Sequence, residues 1–270
     1  MDINETNVRL WSRFGPRAVY GQAMLALAEK CPNVLAMSAD LSNASGLAPF
    51  SRKYPKQFIN TGIAEQNLIG VSAGLAKEGF IPFVSSFAPF VSMRASEQIR
   101  MELGYMQFNV RVVALGSGLA MSFLGNSHYG LEDIAVMRTI PGLTIVSPSD
   151  CVEVVKVIQA AERYEGPMYI RLTGAVNNPI VNTTDYEYEI GKAIKLNKGD
   201  DVVIVSTGSM VAKSLDAAKI LAKKGIHAEV VNMHTIKPLD VDALEEIVNA
   251  GKPMVSVEEH TVIGGLGSAI

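Results

Sequence analysis

The segment NVRVVALG, residues 109–116, is a β-branched apolar run that ends at a glycine, the pattern of a strand buried on both faces. Similar runs, separated by helical patterns, occur at NVLAMSA (33–39), FIPFVSSF (80–87), LTIVSP (143–148) and PMYIRL (167–172). Short buried strands alternating with helices predict a parallel sheet covered by helices on both faces. The carboxyl ends of such strands share one edge, where we expect any ligand to bind.

A second α/β unit follows residues 173–200, where the composition becomes polar, rich in turn residues and without helical periodicity. Further strands are predicted at 201–208, 227–233 and 253–260. The sequence therefore predicts two consecutive open, mainly parallel α/β sheets with helices on both faces. The expected division is a first domain at 1–180, a linker at 181–200 and a second domain at 201–270. Because the segment GGLGSAI begins another helix, we expect the second domain to be incomplete.

Composition restricts the class of protein. The 270 residues are 48% hydrophobic, and 24 basic and 27 acidic residues give a net charge of −3. This interspersed charge argues against a nucleic-acid-binding or membrane-surface protein, and no apolar run approaches the ~20 residues of a membrane span. Cys31 and Cys151 are too few for a disulfide framework, and the N-terminus fits no signal peptide, so the sequence predicts a cytoplasmic protein.

The segment GIAEQN, residues 62–67, places Glu65 at the start of a predicted helix of small residues. The simpler interpretation is a carboxylate favoured by the helix dipole. However, Glu65 is the only ionisable residue between Lys56 and Lys77, so no cation close in sequence can pair with it. A buried carboxyl group without a partner is readily protonated and can exchange a proton with a nitrogen heterocycle. Glu65 is therefore a candidate catalytic residue.

The segment SFAPFVSMRASEQIR, residues 86–100, carries a stripe at helical spacing. Its members are Phe87, Phe90, Met93 and Arg94. Such a stripe is typical of a hydrophobic core. The alternative is an aromatic wall on which a planar ring stacks close to the helix of Glu65.

Three further polar residues are candidates for a binding site. His128 lies in the turn-like segment LGNSHYGLED (124–133), where it is either an incidental loop residue or a proton-transfer group. Arg17 opens a predicted helix and Arg171 ends a predicted strand. Solvated arginines are common, but a guanidinium at a strand end can bind phosphate through two hydrogen bonds.

Together these segments resemble the C-terminal half of transketolase, a thiamine-diphosphate enzyme. The resemblance follows the family's order through RAVYGQA (17–23), SADLSNAS (38–45), NTGIAEQNLIGVSAGLA (60–76), SSFAPFVSMRASEQIR (85–100), HYGLEDIAVMRTIPGLTIVSPSD (128–150), HTIKPLD (234–240) and VEEHTVIGGLGSAI (257–270). It implies a pyrimidine-binding domain followed by a C-terminal domain. The implied reaction transfers a two-carbon ketol unit from a ketose phosphate to an aldose, as in the pentose phosphate pathway. The alternatives are the E1 β subunit of a 2-oxoacid dehydrogenase, deoxyxylulose-phosphate synthase and a non-catalytic homologue.

The resemblance also implies roles for individual residues. Those that would contact thiamine diphosphate are Glu65 at N1′ of the aminopyrimidine ring, Phe87 and Phe90 beside that ring, and Asp40 across a contact between chains. Those that would contact the sugar are His128, with a catalytic role at the donor ketose, and Arg17 and Arg171 at its phosphate.

The sequence departs from the family pattern on the substrate side, where Gly116, Leu124 and Ala44 replace a histidine, an aspartate and a serine that contact substrate. A branched or sulfonated ketose is therefore an alternative substrate. The family binds the diphosphate and Mg²⁺ or Ca²⁺ through a GDG…N motif in a separate domain, and the only GD here, Gly199-Asp200, precedes a strand. The resemblance thus implies no metal ligands in this chain. It implies a partner, the N-terminal subunit of a split transketolase, in an α₂β₂ assembly with a homodimeric contact.

Overall fold

A computed structural model describes the whole chain, residues 1–270, as two α/β units. The helices are α1 (Glu5–Phe14), α2 (Pro16–Ala28), α3 (Ala48–Lys53), α4 (Glu65–Lys77), α5 (Ala88–Arg94), α6 (Ser96–Gln98), α7 (Asp133–Arg138), α8 (Cys151–Arg163), α9 (Met210–Ala222), α10 (Val241–Asn249) and α11 (Leu266–Ala269). The strands are β1 (Val34–Ser38), β2 (Phe58–Asn60), β3 (Ile81–Phe87), β4 (Arg111–Ser117), β5 (Thr144–Val146), β6 (Met168–Thr173), β7 (Ile194–Lys195), β8 (Val202–Ser206), β9 (Ala228–Asn232), β10 (Thr235–Lys237) and β11 (Met254–Val257). None of the helices combines the length and apolar content that a bilayer crossing requires.

The larger sheet has seven strands in the order β10-β5-β6-β4-β3-β1-β2. All its neighbouring strands are parallel except β10 and β5. Successive residues of β4 point into different cores: Val113 packs with α1, α2 and α8, and Val112 packs with α4, α5 and α7. Helices therefore cover both faces of a mainly parallel sheet, as the strand pattern predicts.

The smaller sheet has four strands in the order β11-β8-β9-β7, and only β7 runs antiparallel to its neighbour. Val205 of β8 packs in a core with α10 and α11, whereas Ile204 packs in a core with α9. The second unit is thus also an open, mainly parallel sheet with helices on both faces. The predicted fold class is confirmed for both units.

Besides β2, which pairs with β1, two short strands lie outside the predicted set. Strand β7 falls within the segment 181–200 that we expected to be a linker, and it pairs with β9. Strand β10 follows the second unit's β9 but pairs with β5 of the first sheet, so the two units share this edge. Strands of two or three residues carry no periodicity, and their partners are distant in sequence. The division at 1–180, 181–200 and 201–270 stays a prediction.

The segment 86–100, whose stripe has helical spacing, does not form one continuous α-helix. The chain instead forms α5, α6 and a π-helical stretch at Ile99–Tyr105, at whose end the N–H of Met106 donates to the carbonyl of Met101. A π-helical turn holds more residues than an α-helical turn, so the chain changes its side-chain register without leaving the helix.

The parallel strands place the candidate residues along one edge of the larger sheet. Asp40 follows β1, Glu65 follows β2, Phe87 ends β3 and His128 lies in the loop after β4. This is the edge at which open α/β sheets bind ligands.

Candidate active site

Glu65 begins α4 after a turn in which Gly62 has a φ of +75°. The residue is only 5% exposed, and its Oε1 accepts a hydrogen bond from Ser86 Oγ at 3.3 Å. Arg94 Nη1, at the end of α5, lies 3.7 Å from the same oxygen. The expectation of a carboxylate without a partner is therefore wrong. Sequence reasoning missed the pair because its members lie on different helices that only the fold brings together.

Two phenylalanines and a histidine form an aromatic cluster beside this pair. The rings of Phe87 and Phe90 meet edge-on, with centroids 5.9 Å apart. The His128 ring lies 5.6 Å from that of Phe87 and 5.1 Å from that of Phe90, also edge-on. The guanidinium of Arg94 covers the Phe90 ring at 4.2 Å from its centroid. The fold thus unites Glu65 with the three predicted aromatic residues.

Asp40 is joined to the turn before Glu65 by Asn60. The Asp40 N–H donates to Asn60 Oδ1 at 3.0 Å, and Asn60 Nδ2 donates back to Asp40 Oδ1 at 3.2 Å. Asn60 Oδ1 also accepts from the N–H of Gly62 at 3.0 Å. Asn60 therefore fixes both loops relative to each other. Sequence reasoning did not single it out, although an asparagine just before a glycine turn is a signal of such side-chain capping.

Arg17 lies half-buried in the first turn of α2, where its Nη1 donates to the carbonyl of Ala44 at 3.1 Å. It therefore borders the loop that follows Asp40. Among the predicted anion-binding residues, Arg17 is the one that the fold leaves partly exposed at this edge.

Arg171 is not part of this group, and its predicted contact with a sugar phosphate has to be corrected. It is 1% exposed, and its Nε donates to both oxygens of Asp133, at 3.1 and 2.9 Å. Its Nη2 donates to the carbonyls of Gly130 and Glu259, both at 2.9 Å. Burial acts to lower the pKa of Arg171, but the charge and hydrogen bonds of Asp133, together with Tyr169 and Glu259, raise that pKa above its usual value. A guanidinium with these partners cannot reach a ligand without breaking the ion pair.

Instead, Arg171 supports the base of the loop that carries His128. Gly118 and Gly130 close this loop by exchanging two backbone hydrogen bonds, of 2.8 and 2.9 Å. Arg171 holds the carbonyl of Gly130. From the second unit, Thr261 donates its N–H to the carbonyl of Leu131 at 2.8 Å. Both units therefore position the His128 loop.

The positions that depart from the family pattern differ in environment. Gly116 has a φ of +62°, and a Cβ atom there would lie 2.4 Å from Cγ of the buried Met121. Met121 thus fills the space that a side chain at 116 needs. Leu124 lies in the His128 loop and is 45% exposed. Ala44 is partly buried and packs against the core that contains Val113. All three positions carry less polar side chains than the family pattern that the sequence resembles.

A pocket of about 440 Å³ opens beside Glu65, lined by Ile63, Ala64, Glu65, Gln66, Asn67 and Arg94. A buried carboxylate next to an aromatic face suits a planar ring with a hydrogen-bonding nitrogen, which is what an aminopyrimidine presents. No group of three or more His, Cys, Asp or Glu side chains in the chain could hold a metal ion. The residues present therefore fit the pyrimidine end of thiamine diphosphate.

Comparison with known families agrees with this geometry. The family model for the transketolase pyrimidine-binding domain matches residues 14–175, and the model for the transketolase C-terminal domain matches residues 191–270. The chain therefore belongs to the transketolase family. Within that family it corresponds to the C-terminal section of a split transketolase. Membership implies thiamine diphosphate as cofactor and the complementary chain of the split enzyme as partner.

Three named relatives are similar to nearly the whole chain. A putative transketolase C-terminal section of Methanocaldococcus jannaschii is 42% identical over 95% of this chain and 80% of its own length. A 6-deoxy-6-sulfo-D-fructose transketolase subunit of Clostridium sp. (strain MSTE9) is 40% identical over 94% of this chain and 78% of its own length. A subunit of the apulose-4-phosphate transketolase of Phocaeicola vulgatus is 36% identical, with coverages of 94% and 81%.

Solved structures share the fold. A split-gene transketolase in an inactive β4 tetramer superposes with a TM-score of 0.87 at 41% identity, covering 95% of this chain and 83% of that one. The transketolase of Campylobacter jejuni superposes with a TM-score of 0.78 at 23% identity, covering 91% of this chain and 39% of that one. At that identity the second likeness concerns the fold alone.

Proposed function

We propose that this chain is the pyrimidine-binding subunit of a thiamine-diphosphate-dependent transketolase that moves a two-carbon ketol unit from a ketose to an aldose. The observation that carries the proposal is the buried carboxylate of Glu65 beside the edge-on cluster of Phe87, Phe90 and His128. A purely structural chain has no use for a nearly buried carboxylate at a pocket wall. A site for an aminopyrimidine needs both a carboxylate and an aromatic face.

Each residue of the cluster has a role in this proposal. Glu65 holds the proton at N1′ of the aminopyrimidine ring, and its burial at 5% exposure strengthens that hydrogen bond by excluding water. Phe87 and Phe90 confine the ring. His128, in contact with both phenylalanines, faces the donor ketose as a proton-transfer group. The cofactor, when bound, supplies the nucleophilic carbon that attacks the ketose carbonyl.

The rest of the site belongs to a partner. Mg²⁺ or Ca²⁺ and the diphosphate are held by the N-terminal subunit of the split enzyme, with Asp40 near the cofactor at the contact between chains. An α₂β₂ assembly with a homodimeric contact completes two such sites, because the active sites of this family lie between chains. Arg17, half-buried beside Ala44, meets the anionic end of the sugar.

The donor is proposed to be a ketose outside the pentose phosphate pathway, such as a branched or sulfonated sugar. Three observations favour such a donor. Met121 fills the space at Gly116. Leu124 has an apolar side chain in the loop of His128, and Arg171 is held in an ion pair. Two relatives bear the names of transketolases for 6-deoxy-6-sulfo-D-fructose and apulose-4-phosphate. A pentose-phosphate donor is the second candidate.

The test combines this chain with its cognate N-terminal subunit, thiamine diphosphate and Mg²⁺, and measures ketol transfer with a panel of donors. We expect activity from the mixture and none from this chain alone. Glu65→Gln should lower kcat by about 10²–10⁴-fold because an amide cannot hold the proton. Glu78→Gln, at the exposed far end of α4, is the matched control and should behave as the wild type.

The outcomes separate the candidates. A fully active Glu65→Gln variant would return Glu65 to the role of a helix-terminal charge. Turnover of a 2-oxoacid with a lipoyl acceptor would identify an E1 β subunit instead. No turnover with any donor, despite assembly with the N-terminal subunit, would support a non-catalytic homologue. Leu124→Asp should shift the donor preference toward common sugar phosphates, and an unchanged profile would contradict the assignment of this loop to substrate selection.

A further inference from the structure

Arg94 makes two contacts at once, and they are the two that the proposed cofactor ring needs. Its Cζ lies 4.2 Å from the centroid of the Phe90 ring, which is contact distance for stacked planar groups. Its Nη1 lies 3.7 Å from Glu65 Oε1. A ring that stacks on this face of Phe90 and bonds to Glu65 cannot occupy the site together with the guanidinium in this position.

We propose that Arg94 takes the place of the aminopyrimidine ring in this chain before assembly, and that the cofactor displaces it on binding. This inference rests on the proposed function, because it assumes that the ring binds at Glu65 and Phe90. A guanidinium resembles an aminopyrimidine in what counts here: it is planar, delocalised and rich in N–H donors. It therefore covers the same aromatic face and lies beside the same buried carboxylate.

The contacts are suited to displacement. The Arg94 side chain is 56% exposed, so it can swing into solvent without unpacking the core. At 3.7 Å the pair with Glu65 is too long for a hydrogen bond, whereas a ring nitrogen can approach to full hydrogen-bond distance. Arg94 nevertheless compensates the charge of a carboxylate that is only 6% exposed and whose other partner is the neutral hydroxyl of Ser86.

Displacement makes Arg94 a determinant of cofactor affinity. Removing the guanidinium removes a competitor, so Arg94→Ala should bind thiamine diphosphate about two- to fivefold more tightly than the wild type, the equivalent of one exposed cation–π contact. Arg94→Lys keeps the charge but loses the planar guanidinium, so its affinity for thiamine diphosphate should lie between those of the wild type and Arg94→Ala. The matched control is Arg100→Ala. Arg100 stands over Tyr105 at 5.4 Å and pairs with Glu97, away from Glu65.

The experiment is isothermal titration of thiamine diphosphate with Mg²⁺ into the complex between this chain and its N-terminal partner, after gel filtration has verified assembly of each variant. Tighter binding by Arg94→Ala with an unchanged Arg100→Ala supports the inference. Unchanged or weaker binding by Arg94→Ala overturns it, because Arg94 then stays in place and assists the ring. If the wild-type complex binds no thiamine diphosphate, the proposed function fails first and this inference falls with it.

A crystal structure of the loaded complex gives an independent answer. We expect the guanidinium of Arg94 to have left the face of Phe90. A guanidinium still stacked there beside bound cofactor would refute displacement even if the affinities agreed.

Discussion

Replacing Asp133 by asparagine tests the buried ion pair between α7 and β6 of the first unit. Asp133 and Arg171 are each 1% exposed, and the carboxylate accepts from Arg171 Nε and from the hydroxyl of Tyr169 at 3.0 Å. Asparagine keeps the size of the side chain but leaves the buried Arg171 charge without its ion-pair partner. Breaking a buried pair in this way costs about 3–5 kcal/mol, against a total stability of about 5–15 kcal/mol for a typical domain.

The assay is urea unfolding of the isolated chain at pH 7, followed by circular dichroism. We expect Asp133→Asn to lose about 3 kcal/mol of unfolding free energy. Asp216→Asn is the control, because its pair with Lys219 is exposed on α9 and should lose at most about 0.5 kcal/mol. A loss at Asp133 below about 1 kcal/mol, the range of surface pairs, would refute the reasoning that burial makes this pair costly to break.

The same variant should loosen a defined part of the molecule. Arg171 holds the carbonyls of Gly130 and Glu259, which belong to the His128 loop and to the second unit. Hydrogen exchange should therefore accelerate at 118–131 and 257–261 and stay slow in helices α1, α2 and α8. Exchange that rises evenly along the chain would contradict the role of Arg171 as a local support.

The remaining predictions concern pH and close packing. Burial lowers the pKa of His234 to about 4. Between about pH 6.5 and pH 4 the unfolded chain therefore binds a proton at this residue and the folded chain does not, so the free energy of unfolding should fall as the pH drops through that range. At pH 5 the wild type should have lost about 2 kcal/mol of unfolding free energy to this protonation, and His234→Gln should not show that loss. Identical pH profiles of the two proteins in urea unfolding would contradict the prediction. Gly21→Ala should cost about 2 kcal/mol or more, because its Cβ would lie 2.0 Å from the carbonyl oxygen of Gly46. Gly74→Ala, also inside a helix but with open space at its Cβ, should gain about 0.5–1 kcal/mol; equal effects in thermal unfolding would refute the packing argument.

The fold was largely predictable because its signals are local. Each buried strand of the first sheet is a run such as 109–116, whose apolar residues reflect burial on both faces, and the helices between them have their own periodicity. The short strands β7 and β10 gave no such signal. Their places depend on pairing with β9 and β5, which lie far away in the chain.

The sequence by itself determined the α/β class of both units, the sheet edge that carries the candidate site and the identity of Glu65, Phe87, Phe90 and His128 as candidates. These follow from residue type and spacing, which the chain carries locally. Only the tertiary structure decided which charges meet. It paired Glu65 with Arg94 and Arg171 with Asp133, reversing both the expectation of an unpaired acid and that of a free phosphate-binding arginine. The physical reason is that an ion pair depends on the distance between two side chains, and that distance is set by the packing of elements remote in sequence.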